Sequence, residues 1–400
     1  MTVPDDAIHP ADAASVLGLL LTRPRLLAVG EPTHREDALL DLRNDLFREL
    51  VEDHGYGAIA IETDCLRGLV VDDHVTTGAG TLDEVMATGF SHEWGASAAN
   101  RALVRWMRSH NEGRPAPEQV RFAGFDGPLE ITAAESPRQP LLALHAFLGA
   151  HADADLLPCT ADDLDRLLGA DDRWVEPAAM MDASRSCGRS PDAARLRLLA
   201  DDLVALLDAQ APQVLASSSR DGLDRARLHG RAAVGLLRYH AAMADPSPAR
   251  LARMLTVRDS MMAGNLLALA ERGPTMVHAH NAHLQRPKSS MRMGDLRPEW
   301  WSAGAIVGAR LGEAYAFVPT ALGTIVHQGV DAPPPDTLEG ILHAIPGDRA
   351  LVDPRRLGPL VDRQVTAPRV SAWFGYAPLD PDHLPTWDGI LYVRDCPTHP

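Results

Sequence analysis

The chain has 400 residues, 46% of them hydrophobic, and a formal charge of −16 at pH 7. This length and apolar content suffice for one large core or two smaller ones. The negative charge argues against a nucleic-acid partner, because phosphate binding requires clustered Lys and Arg side chains. It is typical of a surface that keeps a protein in solution, and it would also tolerate a cationic small substrate.

Cysteine usage and the lack of long apolar runs predict a cytoplasmic protein. The four cysteines have no C-x-x-C spacing, which argues against a zinc ribbon or a disulfide scaffold and suits a reducing compartment. A secretory signal has a basic segment followed by an apolar run, and the first residues do not show this pattern. No apolar stretch reaches the roughly 18 residues that a membrane span needs, so we expect no membrane partner.

Short apolar or β-branched runs alternate along the chain with longer helical patterns, as in βαβ units. This alternation predicts an α/β fold with a mostly parallel central sheet flanked by helices. In chain order the predicted strands are residues 26–30, 58–62, 120–125, 275–280, 305–307, 315–319 and 390–393, with 370–374 as a candidate edge strand.

The first long helix has start and stop signals. Thr33 followed by Glu36 matches a capping box and predicts that the helix begins at His34. Apolar residues then recur at helical spacing from Leu39 to Val51, and Gly55 is a natural end.

Residues 137–248 differ in character from the segments on either side. Helical patterns dominate there, as at 196–207 and 223–243, and Asp-, Ser- and Pro-rich joints separate them. We expect a helical subdomain inserted into the α/β domain, so that residues 1–136 and 249–400 form the first and second parts of that domain.

Four of the predicted strands end at or beside an ionisable residue. These residues are Glu31, Glu62, Asp126 and His280. Because ligands of parallel α/β sheets bind outside the carboxyl ends of the strands, the four side chains predict a polar site at one edge of the sheet.

Two arginines fall inside apolar helix stripes. Arg43 interrupts the stripe of the first helix, and Arg258 interrupts that of a later one. A buried guanidinium needs ionic and hydrogen-bonding partners, and Glu31 and Glu62 are the expected carboxylates for Arg43. Such a pair would either hold helix to sheet or fix a catalytic carboxylate, and the sequence leaves both open.

Histidines supply the candidate acid–base groups. His34 lies at the predicted helix N-terminus, where the dipole would lower its pKa and favour a neutral base for activating water, although an ordinary first-turn histidine would look the same. His280 and His283 follow a predicted strand in the segment HNAH. The sequence has no G-x-S-x-G nucleophile elbow, no phosphate loop and no convincing dinucleotide fingerprint.

Taken together, these motifs resemble the erythromycin esterase family. The resemblance runs in order through LLAVGEPTHRE (26–36), AIAIETD (58–64), VDDHVTTG (71–78), the Trp94 region, VRWMRSHN (104–111), FAGFDG (122–127), VRDSMMAGNLLAL (257–269), VHAHNAHLQR (277–286) and MRMGD (291–295). It covers nearly all of the predicted α/β part, whereas the helical middle is similar only in character. The family hydrolyses the lactone ester of macrolide antibiotics with a histidine that activates water.

The resemblance implies a role for each matching residue. It implies His34 as the general base, Glu31 and Glu62 as its carboxylates, Arg43 as the arginine one helical face along, and His280 and His283 as the paired histidines. As substrate-binding residues we predict Arg258, Asn281, Asp126, Trp94 and Arg35. Two features depart from the family pattern: Arg35 replaces a usual Gly, and GASAAN after Trp94 lacks a usual glutamate.

Four hypotheses on function follow. The first is hydrolysis of a small-molecule ester or lactone without metal or other cofactor, with His34 as the base. The second uses the same site for acyl transfer, cyclisation or elimination on a natural-product intermediate. The third is metal-assisted catalysis, since carboxylates and imidazoles bind zinc or manganese. The fourth is a binding protein with a decayed site.

Overall fold

A computed structural model describes residues 3–130, 133–292, 294–371 and 373–397. Its centre is a five-stranded parallel sheet with the strand order β10-β2-β7-β3-β4. The strands are β1 (Ile8–His9), β2 (Leu26–Glu31), β3 (Ala58–Asp64), β4 (Arg121–Asp126), β5 (Leu129–Glu130), β6 (Ala133–Ala134), β7 (Thr275–His280), β8 (Lys288–Ser290), β9 (Glu299–Trp301), β10 (Tyr315–Val318), β11 (Thr320–Thr324), β12 (Arg349–Val352) and β13 (Ile390–Asp395). The predicted mixed α/β fold with a parallel sheet is confirmed.

Helices flank this sheet. They are α1 (Ala13–Leu19), α2 (Asp37–His54), α3 (Gly68–Thr77), α4 (Leu82–Thr88), α5 (Ala98–Asn111), α6 (Arg138–His151), α7 (Ala161–Leu168), α8 (Pro191–Ala209), α9 (Ala211–Ser217), α10 (Arg220–Met243), α11 (Arg250–Arg272), α12 (Asn281–Leu284), α13 (Ala303–Leu311), α14 (Leu338–His343) and α15 (Pro354–Gln364). Among the described residues no helix is long and apolar enough to cross a membrane.

The core lies on both faces of the central sheet. Successive side chains of a strand point to opposite faces, and in β2 Leu27 and Val29 join one apolar cluster while Leu26 and Ala28 join the other. A strand buried on both faces reads as a continuous apolar run, which is why β2 was recognisable from the sequence. A second, four-stranded sheet (β1-β12-β13-β11) extends from β10 through β11.

Helices α6 to α10 have an apolar cluster of their own. It is built from leucines such as Leu144, Leu203 and Leu237. A smaller cluster, which includes Leu129 and Met261, connects α10 to the edge of the α/β body. The predicted domain boundaries near residues 137 and 248 stay a prediction.

Two predicted strands are wrong. Residues 305–307 lie inside α13, whose N-cap Ser302 accepts a hydrogen bond from the Ala305 amide; a short apolar run cannot by itself distinguish strand from helix. At 370–374 the described residues form no strand, because the Ser371 hydroxyl accepts from the Trp373 amide in a local turn. Residue 372 lies outside the described residues.

The start of the first long helix is also corrected. Helix α2 begins at Asp37, and Glu36 at its N-cap makes no capping hydrogen bond. The hydroxyl of Thr33 donates to the His34 carbonyl instead, and Arg35 has a φ of 70°, which no α-helix accommodates. His34 therefore lies in the loop before the helix. The predicted end at Gly55 is confirmed by its left-handed conformation.

Candidate active site

The carboxyl ends of the central strands bring the predicted polar residues together. Glu31 is paired in register with His280, and Asp126 lies at the end of β4, next to β3. The β3–β4 register shifts between Ile61 and Asp64, and Glu62 lies within that irregularity, which is a common way to redirect a strand side chain near a site.

His34 lies at the centre of this cluster. Its Nδ1 lies 2.6 Å from Oε1 of Glu31, and its Nε2 lies 3.9 Å from Oε1 of Glu62. The ring is 5.2 Å from the Trp94 ring and 5.4 Å from the His280 ring, and 41% of the side chain is exposed. His34 thus has one nitrogen fixed by a carboxylate and a second nitrogen at a longer distance from another, in a side chain that solvent can reach.

The predicted lowering of the His34 pKa is wrong. Burial does lower this pKa, but the charges of Glu62 and Glu31 outweigh that effect and raise it above its ordinary value of 6.5. The helix dipole is not the controlling influence, because α2 begins three residues after His34 and such effects fade within the first turn.

Glu31 has a second partner that sequence reasoning missed. Nε2 of His278 lies 3.2 Å from Oε2 of Glu31, and Nδ1 of the same ring lies 3.1 Å from the Val29 carbonyl oxygen. Burial raises the pKa of Glu31, but His278 and His34 together hold it well below its usual range. The signal was a histidine in the middle of the otherwise apolar strand TMVHAH.

Glu62 is held as a carboxylate by three groups. It accepts hydrogen bonds from Arg258 Nη2 at 3.1 Å and from the His280 amide at 2.9 Å, and His283 Nε2 lies 3.4 Å away. Burial opposes its ionisation, but His283, His34 and Arg258 lower its pKa to about 2.

Arg258 forms ion pairs with both Glu62 and Asp126. It donates through Nε and Nη2 to Asp126 at distances of 2.7–3.2 Å, besides its bond to Glu62. Asp126 is fully buried and lies 3.2 Å from Nε2 of His92. The described contacts of the Asp126 carboxylate are thus with protein side chains, Arg258 and His92, and through Arg258 it is connected to Glu62.

His283 lies between two carboxylates. Its Nδ1 lies 3.0 Å from Asp259 Oδ1, opposite its contact with Glu62. Burial lowers its pKa, but Asp259 and Glu62 outweigh burial and raise it to about 9. Asp259, which the sequence did not reveal, is itself fully buried and also accepts from the Trp300 indole and the Ala303 amide.

This pair predicts a loss of stability at alkaline pH. The shift in His283 from 6.5 to about 9 corresponds to about 3 kcal/mol. Because the folded-state pKa is the higher one, that stability is fully present below pH 6.5 and is lost as the pH rises to about 9. We expect the free energy of unfolding to fall across this range in denaturant titrations, and to fall less steeply in Asp259→Asn.

Asp245→Asn is the matched control. Asp245 is also buried and is paired with Arg189 and Arg253, but it lies in the connection between α10 and α11 and contacts neither His283 nor Glu62 in the described ion pairs. This variant should lose stability yet keep the wild-type slope between pH 6.5 and 9. An unchanged slope in Asp259→Asn would contradict the assignment.

His280 is neutral at neutral pH. Burial and the nearby His34 lower its pKa to about 4. Its Nδ1 accepts a hydrogen bond from the Ala282 amide at 3.2 Å, so the single proton of the neutral ring resides on Nε2. His280 therefore presents a neutral N–H donor.

The predicted carboxylate partners of Arg43 are wrong. Its fully buried guanidinium donates to the amide oxygens of Asn44 and Asn100 at 2.7–3.1 Å. No carboxylate among the described residues lies within ion-pair distance, and burial lowers the pKa of Arg43 to about 10 against the opposing charge of Glu31. Nη1 of Arg43 makes no hydrogen bond with a described residue. Arg43 thus acts on Glu31 through space.

Asn281 faces the sheet. Its amide donates to the Thr320 carbonyl at 3.0 Å and accepts from the Thr320 amide at 3.3 Å. A side chain on Gly30 would meet its Oδ1 at 2.1 Å, so Gly30 is needed there. The described contacts of Asn281 tie α12 to β11, and none of them leads toward His34.

A family profile decides the relationship of this chain to known proteins. The erythromycin esterase profile matches residues 51–393. The chain belongs to the erythromycin esterase family. Membership implies an ester hydrolase. The matched range contains Glu62, Arg258 and His280 and begins after Glu31 and His34. No curated protein sequence gives a significant match.

Solved structures share the erythromycin esterase fold. A Bacillus cereus protein has a TM-score of 0.70 at 16% identity, with 92% of this chain and 88% of that one covered. A succinoglycan biosynthesis protein gives 0.67 at 16%, with 97% and 94% covered. A mutant of the erythromycin esterase EreC in its open conformation gives 0.67 at 20%, with 96% and 94% covered. At these identities the likeness shows the fold alone.

The loop beside His34 has a strained backbone. Arg35 has a φ of 70°, a conformation that Gly adopts without strain and that a residue with a side chain rarely adopts. His92 and Glu93 also have positive φ, at 55° and 60°, and Glu93 Oε2 lies 2.6 Å from Arg35 Nη2. Strained backbone concentrates at functional sites, and here it borders His34.

The described residues offer no ready metal centre. Among them no group of three or more His, Cys, Asp or Glu side chains is arranged to hold a metal ion. The site carboxylates are instead bound by Arg258, His34, His278 and His283.

Proposed function

We propose that this protein hydrolyses the lactone of a macrolide, or a related natural-product ester, by activating water with His34 and without a serine nucleophile. The observation that carries the proposal is the His34–Glu31 contact of 2.6 Å, made by a partly exposed ring whose second nitrogen lies 3.9 Å from Glu62. This is the arrangement of a general base with an orienting carboxylate.

The hydrogen bonds assign the protons before reaction. Glu31 is ionised, so Nδ1 of His34 donates to it. The lone pair for water is then on Nε2, which lies near Glu62. Water loses a proton to Nε2 as its oxygen attacks the ester carbonyl, and the imidazolium that forms is stabilised by both carboxylates. The proton then passes to the leaving alkoxide, which departs as the product alcohol.

His280 is the best-placed donor for the oxyanion. It is neutral with its proton on Nε2, and its ring is 5.4 Å from that of His34. A fixed donor aimed at developing charge is among the larger contributions to catalysis. His283 is less suited to this task, because Glu62 and Asp259 occupy its two nitrogens.

Labelled water provides the test of the reaction type. The purified protein is incubated with a panel of macrolides in H₂¹⁸O, and the products are analysed by mass spectrometry. We expect a mass gain of one water, with one ¹⁸O atom in the product acid. A converted substrate without solvent oxygen would mean transfer, cyclisation or elimination at the same site, and a ligand recovered unchanged would mean a binding protein.

A parallel incubation tests the metal hypothesis. The protein is treated with a chelator and its metal content is measured before and after. Unchanged turnover supports the proposed mechanism, whereas loss of turnover with restoration by zinc or manganese would contradict it.

A further inference from the structure

His278 is a buried polar residue that the proposed reaction does not use. It lies on β7, between β2 and β3 in the middle of the central sheet, and 2% of its surface is exposed. A polar side chain at such a position costs free energy unless its hydrogen bonds are made.

The carboxylate of Glu31 is shared between two histidines. Its Oε1 faces Nδ1 of His34 at 2.6 Å, and its Oε2 faces Nε2 of His278 at 3.2 Å. The position of one carboxylate oxygen therefore depends on what holds the other. His34 is on the open side and His278 is enclosed in the sheet, so His278 is the fixed end of this chain.

The surroundings determine the proton of His278. Burial lowers its pKa, and the charges of Arg43 and His34 act in the same direction, against that of Glu31. The neutral ring has one N–H for two acceptors, the Val29 carbonyl and the Glu31 carboxylate. An ionised oxygen is the stronger acceptor, so the proton is on Nε2 and is donated to Glu31.

We infer that His278 is a positioning residue of the general base: by donating to Oε2 of Glu31 it orients that carboxylate and withdraws charge from the oxygen that holds His34. The inference rests on the proposed function for its effect on turnover. Its effect on the proton affinity of His34 is independent of any substrate. The other charged groups facing His34 are Glu62 and His283, and the neutral His280 lies beside it.

Two substitutions separate the two contacts of the ring. The amide of asparagine reaches about as far as Nδ1 of histidine, and that of glutamine about as far as Nε2. His278→Asn therefore places an amide at the Val29 carbonyl and loses the contact with Glu31, whereas His278→Gln keeps a donor for Glu31. Both variants place an amide in the same buried site. If His278 only stabilised the fold, there would be no reason for His278→Asn to change the pKa of His34 more than His278→Gln does.

The measurement is an NMR titration of ¹³Cε1-labelled histidine, with the His34 signal assigned by its loss in His34→Gln. In His278→Asn we expect the pKa of His34 to rise by about one unit, because Glu31 loses its other donor. In His278→Gln it should stay within about 0.3 unit of wild type. Loss of a supporting group of this kind lowers activity on the order of 10- to 100-fold. We therefore expect kcat/KM at neutral pH to fall by that factor in His278→Asn and to recover in His278→Gln.

The same pair of substitutions at His240 is the matched control. His240 is equally buried, with Nε2 2.9 Å from the Glu135 carbonyl, and lies on α10. Neither His240→Asn nor His240→Gln should move the pKa of His34. A pKa of His34 equal in wild type and in both position-278 variants overturns the inference, whatever the turnover.

Two further outcomes are also decisive. If the pKa moves as expected but no ester is hydrolysed, the proposed function fails and the inference stands. If His278→Asn does not fold, Glu31→Gln serves instead, since it removes the acceptor. The His278 signal must then shift relative to wild type, and an unchanged signal overturns the inference.

Discussion

His34→Ala is expected to abolish measurable turnover while leaving the fold intact. General-base catalysis by a positioned side chain contributes about 10²–10⁴-fold, and the two other imidazoles described beside Glu62 are less suited as a base, since His280 carries its proton on Nε2 and both nitrogens of His283 have carboxylate partners. The stability cost should be about 1 kcal/mol, because the side chain is 41% exposed and its loss removes one hydrogen bond. Steady-state kinetics on a hydrolysed ester and thermal unfolding measure the two effects.

His54→Ala is the control for this experiment. His54 ends α2, at the opposite end of that helix from His34, and is not part of the site. Near-normal turnover in His34→Ala would refute the general base. The wild-type pH profile gives an independent check: because the base must be unprotonated and its pKa is raised, kcat/KM should rise with pH through a value above 6.5 rather than below it.

The convergence of the site was predictable because it follows from strand direction. Each of Glu31, Glu62, Asp126 and His280 stood at the end of a run whose apolar character marked a strand. Parallel strands place their carboxyl ends at one edge whatever their order in the sheet. Neither the strand order nor the register had to be known for that conclusion.

The hydrogen-bonding partner of each side chain was not predictable, because it depends on side-chain angles and on differences of a few ångströms between neighbouring atoms. Arg43 lies on the expected face of its helix, yet it bonds to Asn44 and Asn100, which no spacing rule connects. Asp259 follows Arg258 directly and looks like an ordinary helix charge, but one residue of helix rotation points it at His283.

The pKa of His34 was predicted with the wrong sign for the same reason. The prediction depended on where α2 begins, and element boundaries are the least secure part of any sequence interpretation. Helix α2 begins three residues later than predicted, so the helix dipole does not control the pKa of His34. The contacts with Glu31 and Glu62 then decide the direction.

Carboxylates alternate through the site with groups that donate to them or carry positive charge, and this arrangement explains how several charges can be buried. His278, Glu31, His34, Glu62 and Arg258 follow one another within hydrogen-bonding or ion-pair distance. A buried charge is tolerated when an opposite charge compensates it and expensive when that partner is removed. The most damaging single change is therefore the removal of a cation that two carboxylates share.

Arg258→Met should be that change. It would leave Asp126 and Glu62, which are 0% and 3% exposed, without their common cation. Breaking a buried pair by removing one partner costs about 3–5 kcal/mol, and here two carboxylates are left. We expect a loss of stability of at least this size in denaturant titrations at pH 7. Arg227→Met, which breaks an exposed pair with Asp208, should cost no more than about 1 kcal/mol.

A second substitution distinguishes unpaired charge from lost packing. If the cost comes from uncompensated carboxylates, Asp126→Asn in the Arg258→Met background should restore part of the stability, because it removes one of the two charges. Lower pH should also narrow the gap to wild type. In the wild type, ionised Glu62, with its pKa lowered to about 2, contributes stability that is present above its ordinary pKa and is lost as the pH falls toward 2. A double variant less stable than Arg258→Met alone would mean that shape, and not charge, holds α11 to the ends of β3 and β4.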